Sequence, residues 1–318
     1  MENKPVTCSC ILQQQAYEII DGYDEDEDYL SCQFEMPFNQ LLFVDDQAYC
    51  SFHCPMTNKN NQPTVKGQWN EEEIEHFNDS IFELLNFDAK TKTLSGNEGD
   101  LRSIVFPGDI DFSDLRIEDV LSFNNCQFHG YIHFTNGTIV GDIEFSDAEF
   151  FDEANFFNTR FNSGITFLKT KFRGRLNMQA SQKGSNEDFD ERKLIKSINM
   201  AGAEFFDSIQ FDNRIFTGSS VFTDCIFHKA PIFYGCELHQ DTFFPPFKNF
   251  RDTSSPQSFQ AYRVLKLSME NVRNRIDEGA FFALEQRSLR KSMTWYRRFM
   301  SFSFLYDSIS VYGTNAGR

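Results

Sequence analysis

"AEFFDEANFFNTRFNSGITFLKTKF", residues 148–172, returns to phenylalanine at Phe150, Phe156, Phe161, Phe167 and Phe172, in steps of 6, 5, 6 and 5 residues. An amphipathic helix would place apolar residues at i, i+3, i+4 and i+7, and a hairpin strand would alternate every second residue. Neither period fits. Followed toward the N-terminus, the beat passes through Phe145, Ile139, Phe134, Phe128, Phe123, Ile117, Phe112 and Phe106 to Leu101. Toward the C-terminus it reaches Met178, resumes at Met200, and continues through Phe205, Phe211, Phe216, Phe222, Phe227, Phe233 and Leu238 to Phe244. The interval from Met178 to Met200 is twice the six-plus-five double step, so Phe189 and Leu194 are expected on the beat inside a polar surface excursion.

A second register precedes each beat by two residues. Before six-residue steps it is often Ile or Leu, as at Ile110, Leu121, Ile132, Ile143, Ile165 and Ile209; before five-residue steps it is often small, as at Cys126, Gly137, Ala148, Thr159, Thr170, Ala203, Cys225 and Cys236. Residues i and i−2 of an extended segment point the same way. Each short segment therefore sends one large and one smaller side chain inward, and Asp, Asn, Ser and Gly supply the turns between segments. Repetition at a fixed stride with no helix or hairpin period defines a solenoid. Its coils stack about 4.8 Å apart through backbone pairing, and the phenylalanines are its internal ladder.

This pattern resembles the pentapeptide-repeat proteins, in their Phe-centred "AxFxxAxF" style. The resemblance implies a mainly β, right-handed four-sided β-helix, each coil made of two double steps, and a bacterial, cytoplasmic protein. The expected organisation is a Cys/His-rich module over 1–68, a capping helix and connector over 69–100, the β-helix over 101–246 and a helical segment over 247–318. Such a fold hosts many activities and by itself names none.

The 318 residues carry a net charge of −17, unevenly distributed. Residues 1–50 hold eleven acids and one base, Lys4; residues 101–244 hold 21 acids and 13 bases. From Arg287 to Arg298 the sign reverses, with Arg287, Arg290, Lys291, Arg297 and Arg298 and no acid. "MENKPVTCSC" lacks the apolar segment of a secretory signal, and no run approaches the 18 or more apolar residues of a spanning helix. Without a secretory signal the cysteines are expected to be reduced. Cys126, Cys225 and Cys236 fall in the inward register, as small core residues.

The other five cysteines crowd into the first 54 residues, where Cys8, Cys10, Cys32, Cys50, His53 and Cys54 form one constellation with metal chemistry. "CSFHC" at 50–54 gives a tight Cys-x-x-His pair, and structural zinc takes four S or N ligands in a tetrahedron. Buried thiols in a small capping module are the alternative. Some pentapeptide-repeat proteins have a similar "CxFH" ahead of their repeats, and that resemblance implies a structural zinc on Cys10, Cys32, Cys50 and His53, with Cys8 as the alternative to Cys10. The acidic "DGYDEDEDYL" at 21–30 lacks the EF-hand alternation and is expected to be a solvated loop.

Asn70 followed by Glu73 is a capping-box signature, and Ile74, Phe77, Ile81 and Leu84 recur at helical spacing, predicting a helix that covers the first coil. Pro245-Pro246 ends the β pattern. Pro256 starts a helix with Tyr262, Leu265, Met269 and Val272 on one face, and a second helix is expected over Asp277–Phe299. Bases beside Trp295, Tyr296, Phe299, Phe302 and Phe304 suggest contact with an anionic membrane surface, against the plainer reading of aromatics packed on the solenoid's end. The tail also resembles the junction in those pentapeptide-repeat proteins where a "YG", here Tyr312-Gly313, leads into membrane spans. Only five residues follow it here, so either a longer parent with spans is expected or a tail that docks to something else, and by the resemblance the expected place is the inner face of the membrane.

No GxSxG, HExxH, phosphate-binding glycine loop or strand-following GxGxxG occurs, and His129 and His133 are separated by a solenoid corner. A non-enzymatic scaffold with a protein partner is therefore expected, a sensor or assembly domain of a membrane-associated protein, with a second copy of the chain also open as a partner. The alternative comes from another branch of the resembling family, whose acidic β-helices mimic DNA and bind DNA gyrase. DNA carries a charge every ~1.7 Å, a density this solenoid does not approach, and its acidity disfavours direct nucleic-acid binding.

Overall fold

The structure is a computed structural model that describes residues 11–12, 30–31, 41–95, 99–182 and 191–292. Its centre is a parallel β-solenoid. Two- and three-residue strands assemble into sheets on four sides, each strand pairing with the equivalent strand of the next coil. On one side Phe106 pairs with Phe128, Phe128 with Phe150, and Phe150 with Phe172, each partner two double steps further along the chain. Following the chain, the first face carries Ile117, Ile139 and Phe161, the second Leu121, Ile143 and Ile165, the third this Phe106–Phe172 series, and the fourth Ile110, Ile132 and Ala154.

The alternating step has a local cause. Three residues before each beat on the first and third faces the backbone turns left-handed, at Ser103, Asp114, Asn125, Asn136, Asp147, Asn158, Lys169, Gly202, Asn213, Asp224 and Gly235, with φ of 54–72°. At most of these the amide after the left-handed residue donates back three positions, as Cys126 N does to Phe123 O (3.2 Å) and Thr159 N to Phe156 O (3.2 Å). A tight turn with positive φ at its third residue favours Asn, Asp and Gly, which are the residues that punctuate the repeat.

Inside, the rings stack at the coil repeat. Phe106–Phe128, Phe128–Phe150 and Phe150–Phe172 centroids lie 4.6, 4.7 and 4.9 Å apart, nearly parallel. Neighbouring columns meet edge to face, as Phe145 and Phe156 do at 82°. Both geometries suit the ring quadrupole. The small register does more than make room. Cys126 Sγ, Thr159 Oγ1, Thr170 Oγ1, Cys225 Sγ and Cys236 Sγ donate to the carbonyls of Leu101, Phe134, Phe145, Met200 and Phe211 at 2.6–3.0 Å. In each case the acceptor opens the turn of the coil below. Burial pushes the Cys225 and Cys236 thiols up to about 12, so both stay protonated and inert.

One coil is longer. Phe172 pairs with Phe205, where the regular stride would have brought residue 194, and Ile165 pairs with Ile198. Phe189 lies outside the described residues. Leu194, expected on the beat, is half-buried, and Ile195 points inward and pairs with Phe216. The chain thus re-enters one residue out of the expected phase, and a five-residue step from Ile195 to Met200, where six is usual, restores the count. Strands Leu194–Ile195 and Ile215–Phe216 form their own two-stranded sheet, so the first face is divided there while the second, third and fourth are continuous.

Arg214 closes this seam. It occupies the small register, yet it is fully buried and donates to five carbonyls, those of Phe156, Thr159, Met178, Gln179 and Arg192. Its Nε takes Met178 O, which opens the turn of the coil below, and its Nη2 reaches Phe156 O one coil further, at 3.1 Å. Burial lowers the guanidinium to about 9, still charged at neutral pH, and its ring neighbour is Phe161 at 5.4 Å.

Helices cover both ends. α1 (Glu71–Leu84) has the expected capping box: Glu73 N donates to Asn70 Oδ1 (3.0 Å) and Asn70 N to Glu73 Oε2 (2.8 Å). Phe77 and Ile81 are buried, with Phe77 edge-on to Phe106 at 5.9 Å. Leu85 makes the last contact in place of the expected Leu84, which is 40% exposed, because the inward face advances four residues from Ile81. At the other end α2 (Ser258–Asn271) and α3 (Arg275–Ser292) form an antiparallel pair. Phe281 meets Phe244 (5.0 Å) and Phe250 (5.4 Å), and Tyr262 buries against Phe250 while its hydroxyl donates to Asp252 O (2.5 Å). The expected second helix began at Asp277 and ran to Phe299; it begins at Arg275, and residues beyond 292 lie outside the described residues. Among the described residues no helix is long and apolar enough to cross a membrane.

Candidate functional site

Two places gather functional side chains. The first is the turn Cys50–Cys54, at the N-terminal end of the third face. Cys54 N and His53 N donate to Cys50 O (3.0 and 3.2 Å), and the turn extends the solenoid because Val105 N donates to Phe52 O (2.9 Å). This fold-back brings Cys50 Sγ and His53 Nδ1 to 3.2 Å, both buried. Cys8, Cys10 and Cys32 lie outside the described residues. Among the described residues no three potential ligands converge, and the Cys54 thiol is turned toward Pro55 O at 3.6 Å.

Beneath the turn sits Lys66, which no motif or spacing singles out. Its Nζ donates to Ser51 O (2.6 Å) and Phe52 O (3.1 Å) and lies 4.4 Å from the Phe77 ring centroid and 5.4 Å from that of Trp69. Burial lowers its pKa to about 7, and the neighbouring Cys54, Cys50 and Cys126 thiols oppose that shift. When protonated, this ammonium beside two cysteines favours their thiolate forms, the forms that bind metal.

The second place is the outside of the third face. One residue past each beat, the side chains of successive coils form a column: His129, Phe151, Arg173, Phe206, His228 and Arg251. His129 stacks on Phe151 at 4.2 Å, Arg173 lies 5.5 Å from Phe151 and 5.4 Å from Phe206, Phe206 stacks on His228 at 4.7 Å, and Arg251 Nη1 reaches His228 Nε2 at 3.0 Å. Glu149 and Glu204 brace it through Arg173 (2.6 Å) and His228 (2.8 Å). Burial, and then the Lys66 charge, push His129 below its ordinary pKa, so it is neutral at pH 7. Phe151 faces outward at 37% exposure.

Elsewhere the acids are largely structural. Asp109 Oδ1 accepts from Tyr131 N (2.8 Å) and Asp142 Oδ1 from Gly164 N (2.8 Å), each holding an amide one coil up. The bases of the last described helix are also engaged: Arg287 lies 4.3 Å from the Phe247 ring and Lys291 Nζ donates to Thr253 Oγ1 (2.6 Å). No protein-family model, curated protein or solved structure matches this chain.

Proposed function

We propose that this chain is a non-enzymatic protein-interaction scaffold of the pentapeptide-repeat kind. The observation that carries this reading is the third-face column, which lines up rings and guanidinium groups on a rigid rod in a chain whose net charge is −17. Arg and aromatic residues are the side chains enriched at interface centres, where few anchors supply most of the affinity. Because the backbone of the face is already paired coil to coil, a partner can engage it only through side chains. The DNA-mimic alternative is weaker, since carboxylates tied to backbone amides are not arrayed as a free phosphate-like lattice. Photo-crosslinking from positions 151 and 206, with Thr138 on the first face as control, tests the reading. One protein captured from both third-face positions and not from the control is expected; capture independent of position would refute it.

A structural zinc in the N-terminal module is a second element of the proposal, favoured by the 3.2 Å approach of Cys50 Sγ to His53 Nδ1. Cys10 and Cys32 would complete the tetrahedron, and Lys66 would offset the negative charge of a three-thiolate site. The proposed placement at the inner face of a membrane rests on residues 293–318, because Arg287 and Lys291 are occupied by the C-terminal cap.

A further inference from the structure

On the outer side of the fourth face, where the long coil departs, Phe157 and Tyr234 stand at the two ends of a recess of about 390 Å³ with Gln179 and Asp212 between them. We infer that this recess is a binding site for an organic cation, a guanidinium or primary ammonium on a short apolar stem, with the Asp212 carboxylate as its counter-ion.

The floor is built. Asp212 Oδ1 accepts from Tyr234 N (3.1 Å) and Oδ2 accepts from Gln179 Nε2, which fixes the carboxylate while leaving lone pairs on both oxygens. The rim is tied by Asn213 Nδ2 donating to Ala180 O (2.9 Å) and Gln182 Nε2 donating to Asn213 Oδ1 (3.1 Å). Among the described residues no basic side chain pairs with Asp212; the nearest in sequence, Arg214, turns inward and spends its donors on five carbonyls. Burial raises the Asp212 pKa against the two hydrogen bonds it accepts, the mark of a carboxylate short of positive charge. Phe157 and Tyr234 provide rings that attract a cation, and the Tyr234 phenol is itself pushed up by burial and by Asp212. An anion would meet only repulsion at this floor. The volume suits a single side chain or small amine.

The inference stands apart from the third-face column, so either can fail alone. The probes are agmatine, which has a guanidinium, an ammonium and no carboxylate, and the peptide acetyl-Gly-Arg-Gly-amide, with butylurea as a neutral control. Saturation-transfer NMR and calorimetry should give agmatine a Kd of about 1 mM, as expected for so few contacts. Tighter binding of the peptide would identify the source as a partner's side chain, and tighter binding of agmatine a free amine; both support a cation site. Asp212→Asn, which keeps an oxygen for Tyr234 N, should weaken binding about tenfold, and Phe157→Ala should weaken it less. Butylurea binding as well as agmatine, no saturation by about 20 mM, or equal affinity in Asp212→Asn would overturn the assignment.

Discussion

Replacing Arg214 by methionine keeps most of the side-chain length and removes every donor. Three of its acceptors, Phe156 O, Thr159 O and Met178 O, lie in fully buried surroundings. Phe156 O keeps the Thr159 N bond of its turn, but Thr159 O and Met178 O lose the guanidinium donor. A buried carbonyl stripped of its partner costs about 1–3 kcal/mol, so two cost roughly 2–6 kcal/mol. Against this stands the penalty of keeping a guanidinium out of water, the same penalty that lowers its pKa to about 9. Its relief returns several kcal/mol. The expected net loss is about 1–3 kcal/mol, with Arg214→Lys between the two because an ammonium can reach only some of the five acceptors. Repeat rods unfold by neighbour-coupled segments, so a single melting curve would blur the effect. Hydrogen exchange resolved by peptide is the better assay. Protection should fall at residues 154–182 and 194–216 and hold at 104–135. A methionine variant within about 0.5 kcal/mol of the parent, or protection lost evenly along the rod, would refute the assignment of Arg214 as the closure of the seam.

Phe156→Ala should cost about 3–5 kcal/mol and Phe157→Ser less than about 1 kcal/mol in thermal unfolding; the reverse order would show the inward register to be misplaced. Protein prepared without chelator should carry about one zinc, lost in Cys50→Ser and His53→Ala with the solenoid intact, and metal analysis that finds none would end the zinc proposal. Asp252 accepts from Ser254 N, Ser255 N and Ser255 Oγ at 2.6–3.0 Å, and these bonds outweigh burial to hold its carboxyl below the ordinary value. Its contribution is therefore present above the unfolded pKa of about 3.9 and lost as pH falls through the lower folded value; Asp252→Asn should flatten the acid limb of a melting-temperature profile, and an unchanged limb would count against it. A chain ending at Ser292 keeps the docked Arg287 and Lys291, so it should lose the weak, salt-sensitive sedimentation with anionic vesicles expected of the full chain, each remaining tail base being worth about 1 kcal/mol near such a surface; equal sedimentation would leave no support for membrane contact.

The beat was legible because each side of a β-solenoid repeats its inward positions at a fixed stride, and phenylalanine marks most of the beat positions. Its turns were legible for the same reason, since positive φ restricts Asn125, Asn136 and Asp147 to a few residue types. What escaped were the exceptions that satisfy polar groups. Arg214 stands in a register otherwise filled mostly by Cys, Thr, Ala and Gly, with Ile104 and Leu115 in the first coils, and a lone arginine in a sequence reads as surface; only the carbonyls left by the longer coil explain it. Lys66 was hidden likewise, because its acceptors are backbone atoms of Ser51 and Phe52. Leu194 was misplaced by arithmetic: the interval from Met178 to Met200 equals one coil in length but does not form one. Phe157, one residue past a beat, is half-buried beside the recess because Tyr234 and Asp212 come from coils beyond the seam. The outer column also crosses the seam, which makes it invisible to any count at a fixed stride.

The divided first face has a mechanical consequence. Tension along the axis is carried by the continuous second, third and fourth faces, whose ladders run unbroken past the seam. Bending that closes the first face compresses packed rings and is stiff. Bending that opens it meets no strand pairing at the divide and strains the hydrogen bonds of Arg214 and those of Arg192 to Asn136, Gly137 and Asn158 carbonyls. The rod is thus a beam notched on one side, with its compliance confined to one direction. The third-face column, which spans the seam from Arg173 to Phe206, lies on the side opposite that notch, where its spacing closes when the notch opens.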